Sequence, residues 1–182
     1  MDGTFNENDI SRVVEADRAH VWHHLSQHKP YETNDPRIIV EGKGLRVWDQ
    51  HGKEHIDAVA GGVWTVNVGY GRESIADAVR DQLVKLNFFG GTAGSIPGAI
   101  FSEMLIDKMP GMSRVYYASS GSEANDTMVK MLWFLWAAEG QPERRKILTR
   151  KNGYHGVTAV SASMTGKPYN SVFGLPLPGF VH

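Results

Sequence analysis

The chain has 182 residues, 41% of them hydrophobic and 21% charged, a balance that supports a buried core and excludes disorder. Nineteen Lys plus Arg against twenty Asp plus Glu leave a formal charge of −1, so no general field draws in nucleic acid or an anionic membrane, and a small molecule or another protein is the expected partner. No cysteine is present, which removes disulfides and thiolate metal sites from consideration.

The first residues, Met1 to Glu7, are polar and acidic, unlike a signal or transit peptide. No apolar run approaches the roughly 20 residues of a membrane span, so a cytoplasmic location is expected. Apolar residues from Ile10 to Leu25 fall at helical spacing and predict an N-terminal helix closed by Lys29-Pro30. Three short runs follow, Ile38–Glu41, Leu45–Trp48 and His55–Asp57, separated by Gly42-Lys43-Gly44 and Asp49-Gln50-His51-Gly52, and they predict a small antiparallel meander. Ile75, Val79, Leu83 and Leu86 mark one amphipathic helix, and Ile100, Met104, Leu105 and Met109 mark another that begins near Pro97.

The pattern then changes. Arg114–Ala118 predicts a strand that leads into a helix over Glu123 to Ala138, and Lys146–Thr149 predicts a second strand. Strand, helix and strand in close succession indicate a right-handed crossover in a largely parallel sheet, hence an α/β fold. The last stretch, Phe173 to His182, reads as loop, so the sheet looks unfinished.

Tyr117 to Ala124 has the layout of an anion site, in which a strand enters a helix through small residues and the first N–H groups of the helix are exposed. Gly121 allows close approach of a phosphate, and the hydroxyls of Ser120 and Ser122 can add donors. Taken by itself, Ser120 with Glu123 three residues on reads first as a capping box that needs no ligand. Asn152-Gly153-Tyr154-His155-Gly156 follows the next strand, which would put it at the same sheet edge, where an aromatic ring could cover a flat ligand seated on the Ser120 turn. A loop tyrosine is otherwise a packing residue.

Three segments appear in the order and spacing of a known family: Ala60 to Gly71, Ser120 to Asn125, and Tyr154-His155-Gly156. From about Trp22 to His182 the chain resembles the class III, or omega, aminotransferases. The resemblance implies a fold-type I pyridoxal-phosphate enzyme, with residues 1–70 beginning its small domain and 71–182 beginning its large cofactor domain. It implies that Ser120, Gly121 and Ser122 hold the phosphate of pyridoxal 5'-phosphate, that Tyr154 stacks on the pyridine ring with His155 beside it, and that Trp64 lines the substrate pocket. Tyr31 falls where the family has another pocket aromatic. Left to their own surroundings, Trp64 reads as core among Val63, Val66 and Val68, and Tyr31 as a surface anchor for the meander. Gly62 to Gly71 and Lys108 to Tyr117 look most like the taurine:pyruvate branch, which implies a small amine such as taurine as donor and a keto acid such as pyruvate as acceptor. The family builds each site from two subunits, so a homodimer or tetramer is expected, and Asn87 to Thr92 resembles the segment that crosses over.

The resemblance implies that the Schiff-base lysine, the aspartate that protonates the pyridine nitrogen and the arginine that grips substrate all come beyond His182. Lys130, Lys151 and Lys167 lie in helical or polar settings and are expected to be solvated charge. The expectation is an N-terminal fragment that cannot transaminate alone. An aminomutase of the same family and a non-catalytic module that binds a phosphate ligand are the other readings. His20, His23, His24 and His28 crowd one stretch without a carboxylate or cysteine to complete a metal shell, so polar surface is expected there. Trp133 and Trp136, with Met128, Met131 and Leu132, read as a buried helix face or a subunit contact.

Overall fold

The computed structural model describes residues 7–24, 26–90 and 92–182. The polar leader through Asn6, Leu25 and Gly91 fall outside the described residues. Two compact units divide the chain, Met1–Gly91 and Thr92–His182.

The first unit opens with helix α1, Glu7–His20, and a one-turn 3-10 helix at Lys29–Glu32. The helix stops short of the expected Leu25, and His23 and His28 turn back instead. His23 Nε2 bonds Asp17 Oδ1 at 2.7 Å, His28 Nε2 bonds the His23 carbonyl at 3.2 Å, and both rings pack on Tyr31 with centroids 4.9 and 5.8 Å away. Tyr31 thus sits in a cluster with two of the four histidines. The expected meander is formed by β1 (Ile39–Lys43), β2 (Arg46–Asp49) and β3 (Glu54–Ile56), antiparallel in that order, with Val47 buried. Gln50 caps its open end, accepting from the Ile38 N–H and donating to the Pro36 carbonyl. Helix α2 runs Glu73–Lys85, and its stripe of Ile75, Val79 and Leu83 is exposed.

The second unit begins with α3, Ile96–Ile106, capped by Ser95, whose Oγ accepts from the Gly98 N–H, with Pro97 in the first turn. Arg114–Ala118 is the one expected element not formed as drawn. The segment carries no ladder, because no neighbouring strand among the described residues offers it partners. Parallel pairing occurs elsewhere: β4, Ile147–Leu148, pairs with β5, Phe180–Val181, inside the stretch read from sequence as loop. Helix α4, Gly121–Ala138, and the short α5, Ala159–Met164, pack together beside this pair. Their core is Val129, Met164 and Phe180, with Trp133 and Ile147 against it. Trp133 meets Phe180 edge-on at 6.3 Å and donates its Nε1–H to the Arg145 carbonyl. The tryptophan face of α4 is therefore divided. Trp133 joins the core and Trp136 lies under the Arg144 guanidinium, 3.6 Å from its ring centre, whereas Met128 and Met131 are exposed. Among the described residues no helix is long and apolar enough to cross a membrane.

Candidate functional site

One stripe of α4 ties the Ser120 turn to the loop after β4. Residues 122, 125, 126, 129 and 133 recur at three and four residues and share a face. Lower on the helix that face is Val129 and Trp133 in the core; at the N-terminal end it is Ser122, Asn125 and Asp126, which hold the loop after β4. Asn125 Nδ2 donates to the His155 carbonyl at 2.7 Å, and the His155 N–H donates to Thr165 Oγ1 at 2.8 Å, so the peptide beside Tyr154 is fixed on both sides. Asp126 Oδ1 accepts from Thr158 Oγ1 at 2.7 Å and from the Ser161 N–H at 3.0 Å, clamping the start of α5. The Val157 N–H donates to Ser122 Oγ at 3.1 Å. The Ser120 turn and the Tyr154-His155-Gly156 segment thus meet directly. Asn125 and Asp126 were missed as positioning groups in the sequence, although their helical spacing from Ser122 was a signal that could have found them.

The turn itself is a cap. Ser120 is in extended conformation, its Oγ accepts from the Glu123 N–H at 3.2 Å, and Glu123 Oε2 accepts from the Ser119 N–H at 2.8 Å. The capping box is real, shifted by one residue on the carboxylate side. Capping does not exhaust the donors. Both hydroxyls accept a backbone N–H, and each keeps its own proton to donate. The N–H groups of Gly121 and Ser122 meet no acceptor among the described residues, as expected for the first turn of a helix. A Cβ built on Gly121 would meet nothing within 4 Å, so the backbone there is open to a ligand. Four donors around an open glycine at a positive helix end suit a phosphate dianion, and the fit of that group rests on this donor set.

Tyr154 is 61% exposed within this chain, and its ring finds no aromatic partner among the described residues. His155 is half-buried and acts here through its backbone. A cavity of about 600 Å³ lies along the other side of the helix start, lined by Tyr117, Ser119, Glu123, Asp126 and Lys130, and it does not include the Ser120-Gly121-Ser122 turn. Lys130 and Lys151 are exposed and Lys167 is half-buried. Among the described residues no three His, Asp or Glu side chains group as metal ligands.

Trp64 and Tyr31 belong to the first unit. Within this chain Trp64 is 75% exposed, and it stands on a coil whose backbone is left-handed at Ala60, Gly61, Gly62 and Trp64. Asp57 stabilises that coil: Oδ1 accepts from the Val59 N–H, and Oδ2 from the Gly61 N–H and the Tyr70 hydroxyl. The Tyr70 hydroxyl bond, followed by the Gly61 and Val59 amides, holds the Asp57 carboxyl below its usual range, and Asp57 in turn pushes the Tyr70 hydroxyl up.

Residues 28–182 match the aminotransferase class-III family, and the chain belongs to it. It is 60% identical over 177 residues to the hypotaurine/taurine–pyruvate aminotransferase of Paracoccus denitrificans, covering 97% of this chain and 39% of that one. It is 51% identical to the taurine–pyruvate aminotransferase of Rhodobacter capsulatus, over 95% of this chain and 38% of the other. Among solved structures, the omega transaminase of Pseudomonas jessenii in complex with PMP superposes with a TM-score of 0.89 at 40% identity, over 93% of this chain and 38% of that chain. An omega-aminotransferase from Paracoccus denitrificans gives a TM-score of 0.86 at 45% identity with the same coverage. The chain therefore spans somewhat over a third of the length of the relatives it matches. The α/β fold is that of these class III transaminases, a family that depends on pyridoxal phosphate.

Proposed function

We propose that this chain is the N-terminal part of an aminotransferase that moves the amino group of a small omega-amine, taurine or hypotaurine, to pyruvate with pyridoxal 5'-phosphate as cofactor. The observation that carries the cofactor reading is the Ser120 turn, whose hydroxyls are both engaged as acceptors and so remain donors around an open Gly121. The substrate reading is supported by the 60% and 51% identities to taurine-handling relatives. The cofactor, when bound, supplies the electron sink for moving a proton between carbons. This chain's part is to seat its phosphate through Ser120, Gly121 and Ser122, to cover the flat ring with Tyr154, and to shape the amine pocket with Trp64 and Tyr31. Asn125 and the His155 peptide keep Tyr154 at its station. The lysine that carries the aldehyde lies outside these residues, consistent with the open settings of Lys130 and Lys151. Residues 1–70 begin the small domain and 71–182 the large one, in a cytoplasmic homodimer or tetramer.

The test is to express the complete reading frame that encodes this chain and supply taurine with pyruvate. Alanine should form, and only when pyruvate is present, which separates a transaminase from an aminomutase. Failure of the complete protein to bind pyridoxal phosphate would overturn the reading. Turnover by the 182 residues alone, or a borohydride-trapped lysine adduct within them, would overturn its fragment aspect.

A further inference from the structure

Between β3 and Tyr70 the chain makes a coil that its own side chains do not bury. Ala60 and Trp64 have φ of 50° and 62°, a region that residues with a Cβ enter only at a cost, so something outside the coil must hold it. Within this chain the Trp64 indole is exposed, so no packing of it among the described residues does so. The coil is closed at its base by the Trp64 N–H to the Val59 carbonyl at 2.9 Å and the Thr65 N–H to the Ala60 carbonyl at 2.7 Å. Asp57 then ties both of its ends. Its carboxylate accepts from Val59 and Gly61 at 3.0 and 2.6 Å on the entry side, and from the Tyr70 hydroxyl at 2.7 Å on the exit side. The bonds to residues two and four ahead make an ordinary local turn, but a local turn has no need of a partner 13 residues away.

Tyr70 is a fixed point. Its N–H donates to the Gly44 carbonyl at 2.9 Å, and its carbonyl accepts from the Gly44 N–H at 3.1 Å. Its ring lies so close to Gly42 that a Cβ there would come within 2.6 Å of it. The Asp57–Tyr70 bond therefore references the Trp64 coil to the meander.

Taking the proposed pocket role of Trp64 as its starting point, we infer that Asp57 and Tyr70 form a positioning latch that sets where the Trp64 indole stands and thereby selects the size of amine admitted. Neither residue touches substrate. A neutral hydroxyl donating to a carboxylate is a charge-assisted bond, strong enough to hold one coil geometry among several.

The complete protein carries the test in three variants. Tyr70→Phe keeps the ring over Gly42 and removes only the hydroxyl, Asp57→Asn removes the charge, and Trp64→Ala is the reference. Each is assayed with a small aliphatic omega-amine and with a bulkier arylalkyl amine, and amide exchange is followed over residues 59–66. Tyr70→Phe and Asp57→Asn should each shift the ratio of kcat/KM between the two amines by about fivefold or more, in the direction of Trp64→Ala, mainly through KM, and speed exchange at Gly61 and Trp64 by about tenfold. Tyr70→Phe combined with Trp64→Ala should shift the ratio no further than Trp64→Ala alone. Unchanged exchange in both latch variants, an unchanged ratio while Trp64→Ala moves it, or full additivity in the double variant overturns the latch. If Trp64→Ala leaves the ratio unmoved while exchange still quickens, it is the pocket role of Trp64 that falls, and amine selection by the latch falls with it.

Discussion

The Val157 N–H donates to Ser122 Oγ at 3.1 Å, which joins the loop after Tyr154-His155-Gly156 to the first turn of α4 through the same hydroxyl that is offered to a phosphate. Ser122→Ala removes both the tie and the donor. A hydrogen bond to a charged group contributes about 1.5–3 kcal/mol, so affinity for pyridoxal phosphate should fall about 10- to 100-fold in the complete protein. Fluorescence titration with the cofactor measures it, and an affinity within twofold of the parent, about 0.4 kcal/mol, would remove Ser122 from the phosphate seat.

Two glycines near this turn should respond to alanine in opposite ways. Gly156 has φ of 130°, and a Cβ there would overlap Ser122 Oγ and lie 2.9 Å from Ser161 Cβ. Gly156→Ala should cost about 3 kcal/mol or more by denaturant unfolding. At Gly121 a Cβ meets nothing within 4 Å. Gly121→Ala should leave stability equal or higher by up to about 1 kcal/mol while weakening cofactor binding, because the methyl occupies the space a phosphate would take. Loss of stability at Gly121 would mean the space is not free.

Periodicity carried most of the local structure and little of the pairing. Every predicted helix forms, because each has a stripe, a cap or a proline that acts within about one turn of itself. The meander is legible for the same reason, since Gly44 and Gly52 have φ of 60° and 72° and close its two turns. Parallel pairing has no local signature, so Phe180–Val181 looked like loop until β4 lay beside it, and Arg114–Ala118, strand-like by composition, has no ladder to join. At the site, the Ser120 turn was legible as both cap and anion seat, and the structure contains the cap together with its spare donors. Asn125 and Asp126 were hidden because their work is to hold distant backbone, which no short motif expresses. The Trp64 coil was hidden too, since its left-handed residues include Ala60 and Trp64, neither of which composition would place there.

The core of the second unit hangs on Val129, the completely buried residue where the polar end of the α4 stripe gives way to Trp133. Val129→Ala deletes two methyl groups against Met164 and Phe180 and leaves a void, at a cost of about 2–3 kcal/mol. The loss should appear in denaturant unfolding and also loosen the Asn125 and Ser122 ties one turn away. An unfolding midpoint like the parent's would show that the stripe is not the spine of this unit.

Asp49 makes the meander sensitive to acid. Its buried carboxylate accepts from His55 Nε2 at 2.7 Å, from the His51 N–H at 3.0 Å and from the Lys53 N–H at 3.1 Å. The His55 bond leads in lowering its pKa from 3.8 to about 2, helped by the two backbone amides and opposed by burial. A carboxyl with a depressed folded-state pKa binds its proton more readily when unfolded, so its contribution is complete above the ordinary value of 3.8 and disappears as pH falls toward about 2. Asp49→Asn should therefore lower the melting temperature near neutral pH, and the gap between parent and variant should narrow steadily below about pH 4. Measuring only the difference at each pH cancels the other carboxylates, which titrate in both proteins. A gap that stays constant down to about pH 2 would show that the variant's defect is packing and not the charge of Asp49.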